Sequence, residues 1–162
     1  MKKLQTEHPD HCNGLGWIFE SAFYIAAPRP LRSPKNALAA AEKALLVDPA
    51  SRRNLYYAGL ACTEIYGDLI SSSSTKCHEE GAEIWRRQAR IYLTGAISLS
   101  ATAVSQSEKD IRDLLEREAK RALTSIGYVE EAAMLENEDG ASWVTLIATD
   151  DEATAIISEG DQ

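Results

Sequence analysis

Residues 33–49 read SPKNALAAAEKALLVDP, and this stretch decides the fold. Ser33 has the chemistry of an N-cap, and Pro34 fits the first helical position, where an amide proton has no intrahelical partner. The alanine-rich run to Val47 has nearly the best intrinsic helix propensity available, and Asp48-Pro49 stops it. Upstream, Trp17, Ile18, Tyr24 and Ile25 recur at helical spacing over residues 15–27. Pro28, Pro30 and Pro34 then impose a rigid loop, because each proline lacks a donor and disfavours helical geometry in the residue before it.

The pattern continues downstream. Ser51 restarts a helix carrying Leu55, Ala58, Leu60, Ala61, Cys62, Ile65 and Tyr66, which Gly67 is expected to break. Residues 68–78, with serines at 71–74, read as a surface loop. A fourth helix over about 79–100 presents Ala82, Trp85, Ala89, Tyr92, Leu93 and Ala96 on one stripe. Ser107 with Asp110 approximates a capping box for a fifth, which carries Ile111, Leu114, Leu115, Ala119, Ala122, Leu123 and Ile126 and ends at Gly127. No sustained strand alternation interrupts these helices, so the expected class is all-α, built from antiparallel helix pairs with a capping helix. The division is a polar leader at 1–14, a helical domain at 15–127 and an acidic, partly packed segment at 128–162. Within the last, residues 129–136 read as a short acidic helix, 143–148 as strand or packed loop, and 150–158 as a further turn or two.

Charge separates these parts. The 162 residues carry a net charge of −8, yet residues 128–162 hold ten acidic side chains and no Lys or Arg, leaving residues 1–127 at +2. Overall acidity repels a phosphate backbone, and no basic stripe is interleaved with aromatics, so nucleic acid is not an expected partner. The cluster Arg86, Arg87, Arg90 reads as a solvated basic face. No apolar run reaches about 18 residues, so no membrane partner is expected. The apolar stretch 15–27 begins too late after Met1-Lys2-Lys3, and Glu20 interrupts it, so it does not read as a secretory signal. Three widely spaced cysteines, Cys12, Cys62 and Cys77, argue for free thiols in a reducing compartment, and the cytoplasm is the expected location.

Small and large residues fall at offsets that resemble the tetratricopeptide repeat. Ala37, Ala41 and Ala44 followed by Pro49 look like the second helix of such a unit, and Trp17, Ser21 and Tyr24 look like its first. In a less complete second unit, Gly59 falls at the small position of the first helix, with Leu55 and Cys62 in place of aromatics, and Ala89, Leu93 and Ala96 repeat the second-helix spacing. Residues 105–127 stand where such arrays place a polar-faced cap. The long inter-helix loops depart from the family, and an ordinary alanine-rich helical bundle stays open as the alternative.

The resemblance implies a scaffold or adaptor that binds a peptide or helix of a partner protein along the concave surface formed by the first helices. By spacing that surface would include Leu15, Ile18, Ala22 and Ile25 from the first unit, and Arg53, Tyr56, Leu60 and Thr63 from the second. Its apolar half suits hydrophobic anchors. The Lys and Asn pairs of the family's carboxylate clamp are not evident. In length, acidity and the stretch Tyr57-Ala58-Gly59-Leu60-Ala61-Cys62, the chain also resembles the tetratricopeptide chaperones of type III secretion. That likeness would imply a held hydrophobic substrate segment and a homodimer formed through the N-terminal helix.

Enzymatic chemistry has little to stand on. No nucleophile elbow, phosphate-binding loop or dinucleotide fingerprint is present, so neither catalysis nor a cofactor is expected. The acids Glu79, Glu80 and Glu83 read as a solvated helix start. His8, His11, Cys12, Cys77 and His78 could supply zinc ligands if the leader met the serine loop, but their spacing is unlike that of structural zinc sites. Polar surface is the preferred reading.

Overall fold

The computed structural model describes His8 and residues 10–72, 76–99 and 106–128. The expectations for residues 129–158 therefore lie outside the described residues. Within them the chain is all-helical: α1 (Leu15–Ala26), α2 (Pro34–Val47), α3 (Arg52–Ser72), α4 (Lys76–Ser98) and α5 (Gln106–Ser125). None of these helices is long and apolar enough to cross a membrane.

The contacts fix the directions of the helices. Each helix packs on the next, so α1 meets α2, α2 meets α3, α3 meets α4 and α4 meets α5. These pairs are antiparallel: Gly14 at the start of α1 touches Ala44 near the end of α2, and Arg52 at the start of α3 reaches carbonyls at the end of α4. In addition α1 meets α3, and α3 meets α5. These pairs are parallel, since Asn13 ahead of α1 bonds Asn54 near the start of α3. Glu116 and Ser125 of α5 likewise lie by Arg52 and Gly67 of α3 in the same order along the chain. The odd-numbered helices form one layer, and α2 and α4 back it.

Small residues let the layers approach. Ala37, Ala41 and Ala44 of α2, Ser21 of α1, and Ala89, Leu93 and Ala96 of α4 are all fully buried, as their spacing required. A Cβ added at Gly59 would lie 2.6 Å from Leu93 Cγ and 3.2 Å from the Leu93 backbone nitrogen, so hydrogen alone fits there. Close approach of this kind brings helix axes toward the short end of the ~8–10 Å range. Leu55, Cys62, Ile65, Leu93, Ala119, Leu123 and Ile126 join these residues in one continuous core.

Polar side chains tie the ends. Asn54 is fully buried, and its amide nitrogen lies 2.9 Å from Ala44 O and 3.1 Å from both Asp48 O and Asn13 O, where orphan carbonyls of α2 and the leader converge. Arg52 donates to Ile97 O and Leu99 O and pairs with Glu116, so one guanidinium closes α4 and reaches α5. Burial lowers the Arg52 pKa, and Glu116 opposes that shift.

Several local expectations are corrected. Gly67 does not end α3, which runs on to Ser72 because Ile65 and Leu69 continue to pack on the core. Ser71 and Ser72 join that helix instead of opening a loop: Ser71 Oγ donates to Gly67 O and Ser72 Oγ to Leu69 O, one turn back. The next helix starts at Lys76, leaving only 73–75 between them, and those residues lie outside the described set. Ser33 occupies the N-cap position of α2, but its hydroxyl makes no capping bond. Helix α5 begins at Gln106, ahead of Ser107, and Asp110 accepts a hydrogen bond from Gln106 Nε2 at 2.9 Å.

Candidate binding groove

The layer α1, α3, α5 leaves one face of each helix turned away from α2 and α4. On α3 the buried residues Asn54, Ala58, Ala61 and Gly59, Cys62 address the two backing helices, so positions 53, 56, 60, 63 and 67 share the opposite face. On α1, Trp17 faces Lys43 of α2, with the ammonium 4.7 Å from the ring centroid. The other flank carries Leu15, Phe19 and Ala22. On α5, Glu118 acts on Tyr56 and Ser125 lines a cavity with Thr63 and Gly67, so Ile111 and Leu114, on the same stripe, face the same way. Together these faces make one side of the three-helix layer, with α3 in the middle and about 31 Å long from the helical rise, and this side is the candidate groove.

The candidate groove carries the apolar side chains Phe19, Leu60, Ile111 and Leu114, with Glu118 beside Tyr56 and polar residues toward both ends. Tyr56 and Leu60 are half-buried in the floor, with Tyr57 edge-on to Tyr56 at a centroid separation of 5.3 Å. Phe19, Ile111 and Leu114 on the walls are 52%, 59% and 47% exposed. Burial raises the Tyr56 pKa, assisted by Tyr57 and the charge on Glu118, so the phenol stays neutral. At the N-terminal end Arg53 donates to Cys12 O at 2.8 Å and Asn13 O at 3.3 Å, and its Nε is buried without a partner. At the other end a cavity of about 370 Å³ opens between Arg32, Gly67, Ser71, Ser125 and Ile126. Arg32 bridges Asp68 and Glu64 there, and the hydrogen bonds it donates to these two carboxylates raise its pKa. A second cavity of about 530 Å³ lies beyond Asp68 and Ser71, lined by Arg29, Lys35 and Leu69 among others.

No protein-family model matches this chain, and neither does any curated protein or solved structure.

The residues expected to line the surface divide. Tyr56, Leu60 and Thr63 share the groove floor, half-buried, and Leu15 and Ala22 lie half-buried on the α1 flank. Arg53 is on the same face of α3 but is engaged with the leader's carbonyls. Ile18 is 3% exposed inside the chain, so it is not offered to a partner, and Ile25 is half-buried and packs partly against the core, as Tyr56 does. Their offset of one residue from Phe19 and Ala26 turns them inward. Phe19, Ile111 and Leu114 were not singled out as site residues, since exposure of a large side chain cannot be read from spacing alone.

The other candidates have plainer places. Arg86 and Arg90 do more than cover a solvated face: Arg86 Nε donates to Ile126 O at 2.7 Å, an orphan carbonyl at the end of α5, and both guanidinium groups stack on Tyr128. Arg87 remains outward and pairs with Glu83. Among the described residues no group of three His, Cys, Asp or Glu is placed to hold a metal ion. His8 and His11 are exposed, Cys12 Sγ lies 3.3 Å from His11 Nε2, and the side chains of Cys77 and His78 lie outside the described residues.

Proposed function

We propose that this chain is a protein-binding scaffold whose groove over α1, α3 and α5 receives a short amphipathic segment of a partner protein. One observation carries the reading. Phe19, Ile111 and Leu114 stand 52%, 59% and 47% exposed on the two walls of a groove with Tyr56 and Leu60 in its floor. Apolar side chains exposed singly need no explanation, whereas convergence on one concavity marks a site where hydrophobic anchors are buried. The tetratricopeptide likeness points the same way, because parallel first helices in mutual contact are what such arrays use to build a concave surface. The reading is of a binding module and not an enzyme, acting in the cytoplasm, where the free thiols of Cys12 and Cys62 fit.

The test is photo-crosslinking from three positions in turn: Phe19 and Leu114 on opposite walls, and Leu46 on the back of α2, which is 86% exposed. A partner segment seated in the groove crosslinks from both walls and not from Leu46. Equal yields from Leu46, or from one wall only, would reject the groove. Leu114→Asp should abolish capture while changing stability by no more than about 0.5 kcal/mol, as expected for a surface change.

A further inference from the structure

The 530 Å³ cavity lies on the side of α3 that faces α2, away from the candidate groove. Arg29 of the α1–α2 loop and Pro34 and Lys35 of α2 line it together with Ile65, Asp68 and Leu69 of α3, because the start of α2 meets the end of its antiparallel neighbour. Ile65 belongs to the core and is 3% exposed, and Pro34 and Leu69 are half-buried, so the floor is apolar. Small-molecule sites occupy about 300–1,000 Å³ and combine such a floor with a few charged groups. The charges here are not balanced from within. Asp68 accepts from Arg32 Nη1 through both oxygens, at 3.0 and 2.7 Å, and the same guanidinium holds Glu64. Arg29 and Lys35 pair with no acid among the described residues. Three cations and two carboxylates at this end leave one positive charge over. Lys35 is also poorly placed for folding. It stands in the first turn of α2, where the helix dipole disfavours a cation, and that turn holds no acid and no side-chain cap. A charge set against its own helix with no internal partner breaks a local rule of stability, and such breaks collect where a protein binds something.

We propose that this cavity binds a small carboxylic acid with an apolar body, its carboxylate held by Arg29 and Lys35 and its body laid on Pro34 and Leu69. Each part of the ligand answers a part of the site. A single negative charge cancels the one positive charge left over, whereas a phosphate dianion overshoots it. The Arg29 guanidinium presents paired donors that match two carboxylate oxygens, and Lys35 adds a point charge. Both cations are exposed, and exposed ion pairs contribute little on their own, so a bare anion is held weakly. Burial of an apolar body against Pro34 and Leu69 supplies the rest. The site is separate from the candidate groove, whose face of α3 carries Tyr56, Leu60 and Thr63, so partner binding there can fail without touching this inference.

The experiment titrates octanoate into the full chain with labelled Ile and Leu methyl groups and follows the methyl resonances by NMR. Octylammonium and inorganic phosphate, at matched ionic strength, serve as the comparison probes. Octanoate should give saturable shifts at Leu69 and at Ile65 beneath it, and leave Ile111 and Leu114 of the candidate groove in place. Octylammonium should leave Leu69 unmoved, and phosphate alone should bind far more weakly than octanoate. Arg29→Ala should weaken octanoate about tenfold, the loss of a hydrogen bond to a charged group. Lys35→Glu places an acid where the helix dipole favours one, so this variant should melt no lower than wild type without ligand, yet show no saturable octanoate binding. A folded Lys35→Glu chain that binds octanoate as wild type does overturns the proposal. So do shifts confined to Ile111 and Leu114, or an equal response to octylammonium. Phosphate binding as tight as that of octanoate removes the apolar body from the site and overturns it as well.

Discussion

Gly59 and Gly67 lie two turns apart on the same helix, and substituting each with alanine should move stability in opposite directions. Alanine is favoured over glycine in a helix interior by about 0.8–1.0 kcal/mol, and that gain applies at both sites. At Gly67 nothing lies within 4 Å of the new methyl group, so the gain stands alone and the variant should be about 1 kcal/mol more stable. At Gly59 the methyl group would sit 2.6 and 2.8 Å from Leu93 side-chain carbons, and Leu93 is fully buried. The backbone nitrogen of Leu93 at 3.2 Å means that α4 itself must shift. Overpacking of this kind costs about 1–3 kcal/mol, so Gly59→Ala should lose up to about 2 kcal/mol net and stand about 1–3 kcal/mol below Gly67→Ala. The difference between the two variants isolates the clash, because propensity cancels. Urea melts of both, analysed with a common slope, provide the measurement, and Leu93→Ala should relieve part of the Gly59→Ala penalty in a double-mutant cycle. A Gly59→Ala protein as stable as Gly67→Ala would refute the close α3–α4 packing on which the groove floor rests.

Other variants probe the polar interior. Asn54→Asp sets a carboxylate among the carbonyls of Ala44, Asp48 and Asn13, which raises its folded pKa above the unfolded value of about 3.9. Its stability should therefore be highest below pH 4 or so and fall as pH rises through the folded pKa, relative to wild type at each pH; a pH-independent deficit would contradict the role assigned to Asn54. Ser21 is fully buried and its hydroxyl has no hydrogen-bond partner, so Ser21→Ala should gain about 1 kcal/mol, and a loss in thermal melts would show that the hydroxyl is satisfied in solution. Burial pushes the Cys62 thiol well above its ordinary range, while Cys12 is exposed. Mass-mapped alkylation of the native protein should label Cys12 and spare Cys62 until denaturant is added, and equal labelling rates would rule out the packed α3 core.

The helical class, the order of the helices and the buried small positions were legible because they depend on local periodicity. Ala37, Ala41, Ala44, Ala89, Leu93 and Ala96 recur on one face of their helices at helical spacing, and each is fully buried. What failed was punctuation. Gly67 reads as a stop because glycine disfavours helix by about 1 kcal/mol, but tertiary packing of Ile65 and Leu69 on either side exceeds that penalty. The serines at 71 and 72 read as loop because their hydroxyls compete for backbone groups, yet here they bond one turn back within the helix. For the candidate groove, spacing puts Tyr56, Leu60 and Thr63 on one face of α3, where they are half-buried, but it puts Ile18 on the surface, because a one-residue error rotates a helical position by about 100°. Asn54 and Arg52 could not be found from sequence, since their partners are backbone carbonyls brought together only by the fold.

Gly67 carries a further implication for how this chain would change under selection. It lines the 370 Å³ cavity, and an alanine there would strengthen α3 while narrowing the cavity. A lineage screened for heat resistance alone would be drawn to fill that position early, and the end of the groove would silt up before the core altered. Retention of glycine in chains evolved toward tighter partner binding, and its loss in those evolved only for endurance, would separate the demands of recognition from those of folding at a single codon.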